Sequence, residues 1–230
     1  MEIKPIAHIE NAFVSKFGIP RQSGLLKQMQ SFVVLEPEYR MEQAIRGLED
    51  YSHLWLIWGF SENEGKEPSL MVRPPRLGGN KRVGVFATRS PFRPNSLGLS
   101  CVELKEVKKD EKRGYYLVVT GADLLNGTPI YDIKPYLPYV EAHPDAKGGF
   151  AEEKKQFALV VECPDEIKKR FPEDDWNILK ELLSQDPRPA YQEDPDRIYG
   201  MDFSKYQIHF KVKDEVLTVT DVAVISPGYR

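Results

Sequence analysis

The first half of the chain is built from short apolar runs, each stopped by a turn signal before it could complete a long helix. The runs are IKPIAHIE, SFVVLE, HLWLIWGF, VGVFAT, LSCVELKEV and YYLVVTG. Their length and their β-branched and aromatic content predict strands. Glu36-Pro37, Gly78-Gly79-Asn80, Pro94-Asn95 and Asn126-Gly127 mark turns among and after them. One helix is predicted between them, from Glu38 to Leu48, where Tyr39, Ala44, Ile45 and Leu48 would share an apolar face. Strands that do not alternate with helices do not make a parallel doubly wound sheet. Many short strands joined at Gly and Pro turns make an antiparallel sheet that curls toward a barrel. The expected fold is therefore mainly β, with an antiparallel, barrel-like N-terminal domain over residues 1–140.

Beyond Leu137 the texture changes. Residues 141–155 are polar and include Pro144, Gly148 and Gly149, as a linker would. Residues 156–230 read as a small α+β domain. A strand, FALVVE, precedes helical material from Pro164 to Ser184, in which Pro172 opens a second helix. YQIHFKV and VLTVTDVAVI then form a hairpin around Lys213-Asp214-Glu215.

Charge is distributed unevenly. The net charge is -3 at a sequence pI near 5.9, so this is not a protein that coats nucleic acid without selectivity. Residues 1–140 hold 19 basic against 16 acidic side chains, a balance of +3, and the remainder holds 13 against 19, a balance of -6. Between Met71 and Val102 there is no acidic residue, while Arg73, Arg76, Lys81, Arg82, Arg89 and Arg93 stand among glycines, prolines and aromatics. A solvated basic loop is the plain interpretation. Arginines fixed on Pro/Gly loops, however, present planar donor forks suited to phosphate and carboxylate, and this favours an anion or nucleic-acid site.

Other classes fall away. Cys101 and Cys163 cannot make a disulfide framework and read as buried thiols in a reducing compartment. No apolar run approaches a membrane span, so a soluble, cytoplasmic setting without a membrane partner is expected. GFSENEGK has one residue too many between its glycines for a phosphate loop and lacks the Ser or Thr that would bind magnesium. His8, His53, His143 and His209 are scattered, and no metal is expected. No GxGxxG follows a strand, which removes a Rossmann nucleotide site.

Four constellations remain. Pro20-Arg21-Gln22 lies between Gly18 and Gly24, where a charged fork and an amide on a turn suit a small zwitterion. Asp123-Leu124-Leu125-Asn126 joins an acid to a tight turn. Asp132-Ile133-Lys134-Pro135-Tyr136 follows it, and Asp186-Pro187-Arg188-Pro189-Ala190-Tyr191 ends the C-terminal helix. The plain interpretation is a surface loop for the first, a hairpin turn for the second and a helix stop for the last.

PRQ, RPPRLGGNKRVGVFATRSPFRPNSLGLS, DLLNGTPIYDIKPY and DPRPAY, in that order, resemble the TsaA/TrmO family over nearly the whole chain. The resemblance implies a homodimeric, barrel-like enzyme that uses S-adenosylmethionine to methylate tRNA. The implied target is N6 of the threonylcarbamoylated adenosine just 3′ of the anticodon. Carried over by motif, the methyl-donor pocket would include Arg21, Gln22, Ser23, Ser61, Glu62, Arg89, Leu99, Asp123, Leu124, Leu125 and Asn126. Relatives are expected to carry histidine at the position of Ser61, a change that a backbone contact survives. Asp186, Arg188, Tyr191 and Asp132 are the implied catalytic candidates. Arg73, Arg76, Lys81, Arg82 and Arg93 would hold the anticodon stem-loop. The competing class is a barrel that grips RNA with arginines and aromatics and does no chemistry.

Overall fold

A computed structural model of the chain describes residues 2–63, 65–74, 77, 81–152, 158–188 and 194–225. The strands are numbered along the chain. Six of them close into a barrel in the order β1 (Ala7–Glu10), β2 (Gln30–Leu35), β7 (Gly114–Thr120), β6 (Leu97–Asp110), β3 (His53–Gly59) and β8 (Pro129–Pro135). Every pair is antiparallel, including the closing pair β8–β1. Alternate side chains on a strand face opposite sides. Leu54, Leu56 and Trp58 of β3 therefore meet Val33, Leu35, Val102, Leu104, Leu117, Val119 and Ile130 inside. Two-residue strands β4 (Met71–Val72) and β5 (Val83–Gly84) pair with each other outside the barrel.

The expected helix over 38–48 is broken. Pro37–Tyr39 and Leu48–Asp50 are 3₁₀ turns flanking the four-residue helix α1 (Glu42–Ile45). Extended backbone at Met41 and Arg46 interrupts the pattern, and Ile45 is the one buried residue of α1. VGVFAT is a strand only at β5. Val85–Ala87 turns as 3₁₀, burying Val85 and leaving Phe86 75% exposed. Asn126-Gly127 does not close a hairpin, because β7 and β8 are not neighbours. The loop crosses the barrel end and is tied to β1 and the chain just after it: Gly127 N–H donates to Ile9 O and Asn126 N–H to Phe13 O, both at 2.8 Å. The two cysteines are half-buried and unpaired, and burial pushes both thiols up.

The second sheet runs β10 (Tyr199–Phe203), β11 (Tyr206–Lys213), β12 (Val216–Val224) and β9 (Val160–Glu162), the last parallel to β12. Helix α2 (Pro138–Glu141) precedes this sheet in the chain, and α3 (Asp165–Lys168) follows β9. Helix α4 (Glu173–Ser184) starts after Pro172 and buries Trp176, Leu179, Leu182 and Leu183. Among the described residues no helix is long and apolar enough to cross a membrane.

A third contribution to this core comes from the far end of the chain. Phe13, Leu26 and Met29, in the connection between β1 and β2, are buried with the sheet and α4, and Ala12, Phe17 and Ile19 pack against them. The boundary at residue 140 would assign them to the barrel, yet they belong to the second core. Gly18 lies at φ 93, and a Cβ there would overlap Sδ of Met201 on β10. Ser204 N–H donates to Ala12 O at 3.0 Å, and Gln185 Nε2 to Leu25 O at 3.2 Å.

Phe13→Ala should therefore destabilise the second core by about 3–5 kcal/mol, the usual cost of emptying a buried phenylalanine site. Urea unfolding of the purified variant reads this as a lower midpoint. An unchanged midpoint would mean that the connection lies on the second core without stabilising it.

Candidate active site

Where β3 ends and β6 begins, the barrel opens into a cleft of about 940 Å³. Ile57, Trp58, Gly98 and Leu99 form its floor, Arg21 and Gln22 one side, Ser61, Glu62 and Asn63 another, and Thr88, Arg89, Pro91, Phe92 and Arg93 supply part of its edge. Gly98 is required here, since a Cβ would lie within the Trp58 indole. The indole Nε1 donates to Ser100 Oγ at 2.9 Å, and that hydroxyl donates to Asp123 Oδ1 at 2.5 Å. Burial pushes the Asp123 carboxyl up. Ser100, the backbone amides of Asp123 and Ser23, and the Arg89 charge oppose that shift. Arg89 Nη1 donates to Gln22 Oε1 at 2.5 Å, joining the two walls.

A second cleft of about 1280 Å³ lies behind this junction. The two share seven lining residues: Arg21, Gln22, Phe86, Thr88, Arg89, Pro91 and Phe92. The second is lined by five arginines, Arg21, Arg73, Arg82, Arg89 and Arg188. Its far edge is set by the end of α4. Asp186 takes a left-handed φ of 50, and its carboxylate accepts from Arg188 Nε at 2.8 Å and Nη2 at 2.9 Å. Arg21 Nη2 donates to the backbone oxygens of Asp186 at 2.9 Å and Arg188 at 3.0 Å.

The residues singled out from sequence are thus partly gathered and partly dispersed. Arg21, Gln22, Ser61, Glu62, Arg89, Leu99, Asp123 and Leu125 line the first cleft. Leu124 points into the barrel core and is fully buried. Asn126 Oδ1 accepts from Asn11 N at 2.9 Å, so it fixes the loop. Arg93, expected on the RNA side, lines the first cleft and donates to Thr88 O at 3.2 Å. Arg73 and Arg82 line the second cleft, while Lys81 lines neither. Asp132 also lines neither, and its carboxylate pairs with Lys134 at 3.0 Å on the barrel wall. Arg76 and Tyr191 lie outside the described residues.

Sequence reasoning missed Asn63, Phe86 and Phe92. Asn63 is 6% exposed, lines the first cleft, and its Nδ2 has no partner among the described residues. A buried amide hydrogen without an acceptor is costly, which marks a place for a ligand acceptor. Phe86 and Phe92, 75% and 45% exposed, stand where the clefts meet. A sulfonium-bearing amino acid joined to a nucleoside fits the first cleft. The cleft holds a buried carboxylate for an ammonium, arginines for a carboxylate, apolar floor for a ring, and an unsatisfied donor for a ring nitrogen or ribose hydroxyl.

Fold and clefts together define a β-barrel protein with two adjoining clefts, one beside the half-buried Asp123 carboxyl and one lined by arginines. The chain belongs to the tRNA-methyltransferase O family: the N-terminal domain of that family matches residues 8–142 and its C-terminal domain residues 158–225. The tRNA (adenine(37)-N6)-methyltransferase of Escherichia coli K12 is 40% identical over 222 residues, 93% of this chain and 94% of that one. A Pseudomonas aeruginosa relative, provisionally described as an S-adenosylmethionine-dependent methyltransferase, is 38% identical over 230 residues, 96% of this chain and 97% of that one. A crystal structure of TrmO from P. aeruginosa superposes with a TM-score of 0.79 at 32% identity, covering 97% of both chains.

Asp123 yields a test independent of any ligand. Its carboxyl is held above its unfolded value, so the folded state keeps that proton more firmly. The stability this contributes is present at low pH and lost as pH rises through the folded value. Asp123→Asn removes the buried charge while leaving an oxygen for Ser100. The variant should melt above the wild type at neutral pH, and acidification should close the gap. A gap that stays constant across pH would place the penalty elsewhere.

Proposed function

We propose that this protein transfers a methyl group from S-adenosylmethionine to N6 of threonylcarbamoyladenosine at position 37 of tRNA, the position named for its E. coli relative. One observation carries this reading: the two clefts share the wall of Arg21, Gln22, Phe86 and Arg89, so a donor in one and a base in the other lie in contact. Methyl transfer asks mainly for that alignment.

Bound S-adenosylmethionine supplies an electrophilic methyl carbon. On the protein side, Asp123 accepts the ammonium, and Arg21 and Arg89 hold the carboxylate, with Gln22 steadied by Arg89. Leu99 and Leu125 bound the ring, Asn63 donates to it or to the ribose, and backbone at Ser61 and Glu62 closes the mouth. Ser23, Leu124 and Asn126 act through the shape of the loops that carry Arg21 and Asp123. Phe86 and Phe92 offer faces on which a base splayed from a single-stranded loop stacks. The Asp186–Arg188 pair edges the second cleft, where it orients the acceptor. Arg73 and Arg82 face the acceptor side, with Lys81 farther out along the RNA. A ureido N6–H is acidic enough that a modest hydrogen-bond acceptor takes its proton. The enzyme works in the cytoplasm as a homodimer.

Transfer of labelled methyl to tRNA with and without the threonylcarbamoyl group tests this. Incorporation should require the modification and appear at that adenine. An RNA-binding barrel without chemistry would bind tRNA, show no calorimetric response to the donor and incorporate nothing. Arg89→Ala should weaken donor binding by on the order of 1.5–3 kcal/mol, the value of a charge-assisted contact, and weaken tRNA binding much less. Calorimetry with each ligand reads the difference, and equal losses would move Arg89 into the RNA patch.

A further inference from the structure

The second cleft carries more positive charge than a base requires. Its described lining residues include five arginines and no acidic side chain. Three of the five are engaged: Arg21 holds the backbone oxygens of Asp186 and Arg188, Arg89 holds Gln22, and Arg188 is closed on Asp186. Arg73 and Arg82 have no hydrogen-bond or ion-pair partner among the described residues, and both are exposed to the cleft. Such guanidinium forks suit a planar carboxylate as well as a phosphate.

The surroundings distinguish the two. A grip on the nucleic-acid backbone alone needs only positive charge at the surface. This cleft adds apolar surface from Met71, Val72, Phe86, Phe92 and Phe150 to its arginines and hydroxyls. Apolar walls with two guanidinium groups match a flat ring bearing a short aliphatic chain that ends in a carboxylate. The wall shared with the first cleft requires that whatever fills the second is bonded close to the atom receiving the methyl. A substituent on the acceptor nitrogen meets that condition, whereas a phosphate is separated from it by the sugar and the base.

We infer that the second cleft receives the N6 substituent of the target adenine and that Arg73 and Arg82 bind the carboxylate at its far end. This rests on the acceptor proposed above. The arginine pair thereby reads the substituent itself, so the modification already on the base is the condition for the next one.

Three anticodon stem-loops separate the possibilities: one with threonylcarbamoyladenosine, one with its carboxylate converted to the neutral primary amide, and one with unmodified adenosine. The wild-type protein should favour the acid over the amide by about 10- to 100-fold in kcat/KM, the worth of charge-assisted hydrogen bonds. In the Arg73→Ala/Arg82→Ala double variant that ratio should fall to about one. If acid and amide lose equally in the variant and the salt dependence of RNA binding becomes shallower, the anion bound is a backbone phosphate and the inference is overturned. Equal use of acid and amide by the wild type overturns it as well. Methylation of unmodified adenosine alone would instead refute the proposed acceptor, a different result from either. The paired Arg73→Gln/Arg82→Gln variant, with thermal melting of both, guards against misfolding: a folded variant that keeps the acid preference also rejects the assignment.

Discussion

Burial of Phe13, Leu26 and Met29 in a core built by the other end of the chain is the interaction on which both clefts depend. The connection from β1 to β2 leaves the barrel, crosses the second sheet and returns, and Arg21 and Gln22 stand on its exposed turn. Without that anchorage the turn would be a long surface loop, free to sample many conformations at considerable entropic cost on ligand binding. Anchored, it places Arg21 against the backbone at Asp186 and Arg188 and Gln22 against Arg89. The C-terminal sheet thus shapes a site whose floor it does not supply.

The barrel supplies that floor through a different device. Trp58, Ser100 and Asp123 form a hydrogen-bonded chain at the open end, made possible by the missing side chain at Gly98. A carboxylate that is half-buried is poorly solvated, so a cation brought to it replaces water it has partly lost. The first cleft is built differently from a glycine-rich strand-to-helix turn. A half-buried carboxyl stands at a barrel mouth, and loops close the sides.

Much of this was legible in the sequence because strands and turns are local. The runs that became β2, β3, β6, β7 and the β11–β12 hairpin were evident from composition and punctuation, as was Pro172 at the head of α4. β8 was obscured by prolines at both ends, and β10 by a glycine and an aspartate in five residues. The helix over 38–48 failed because extended backbone at Met41 and Arg46 and a left-handed Gly47 divide it into short turns, which still bring Tyr39, Ile45 and Leu48 to the barrel core. Residues that line the first cleft were legible where a motif placed them beside a turn, as with Arg21, Arg89 and Asp123. Asn63, Phe86 and Phe92 were not, since an asparagine orphaned by burial and aromatics left in solvent are properties of the folded chain. The exchange of residues 12–29 into the second core has no local signal at all: its partners lie more than a hundred residues away.

That exchange also bears on how the chain is made. Synthesis runs from the N-terminus, and domains tend to fold as they emerge. Every strand of the barrel has been polymerised by Pro135, but β10, against which Gly18 is fitted, does not exist until some sixty residues later. Throughout that interval Phe13, Phe17, Leu26 and Met29 have no sheet to cover them and present an oily loop on a nascent barrel. The protein is consequently most exposed to misassociation late in translation, when its first domain is finished in outline and its donor loop still waits for its anchor.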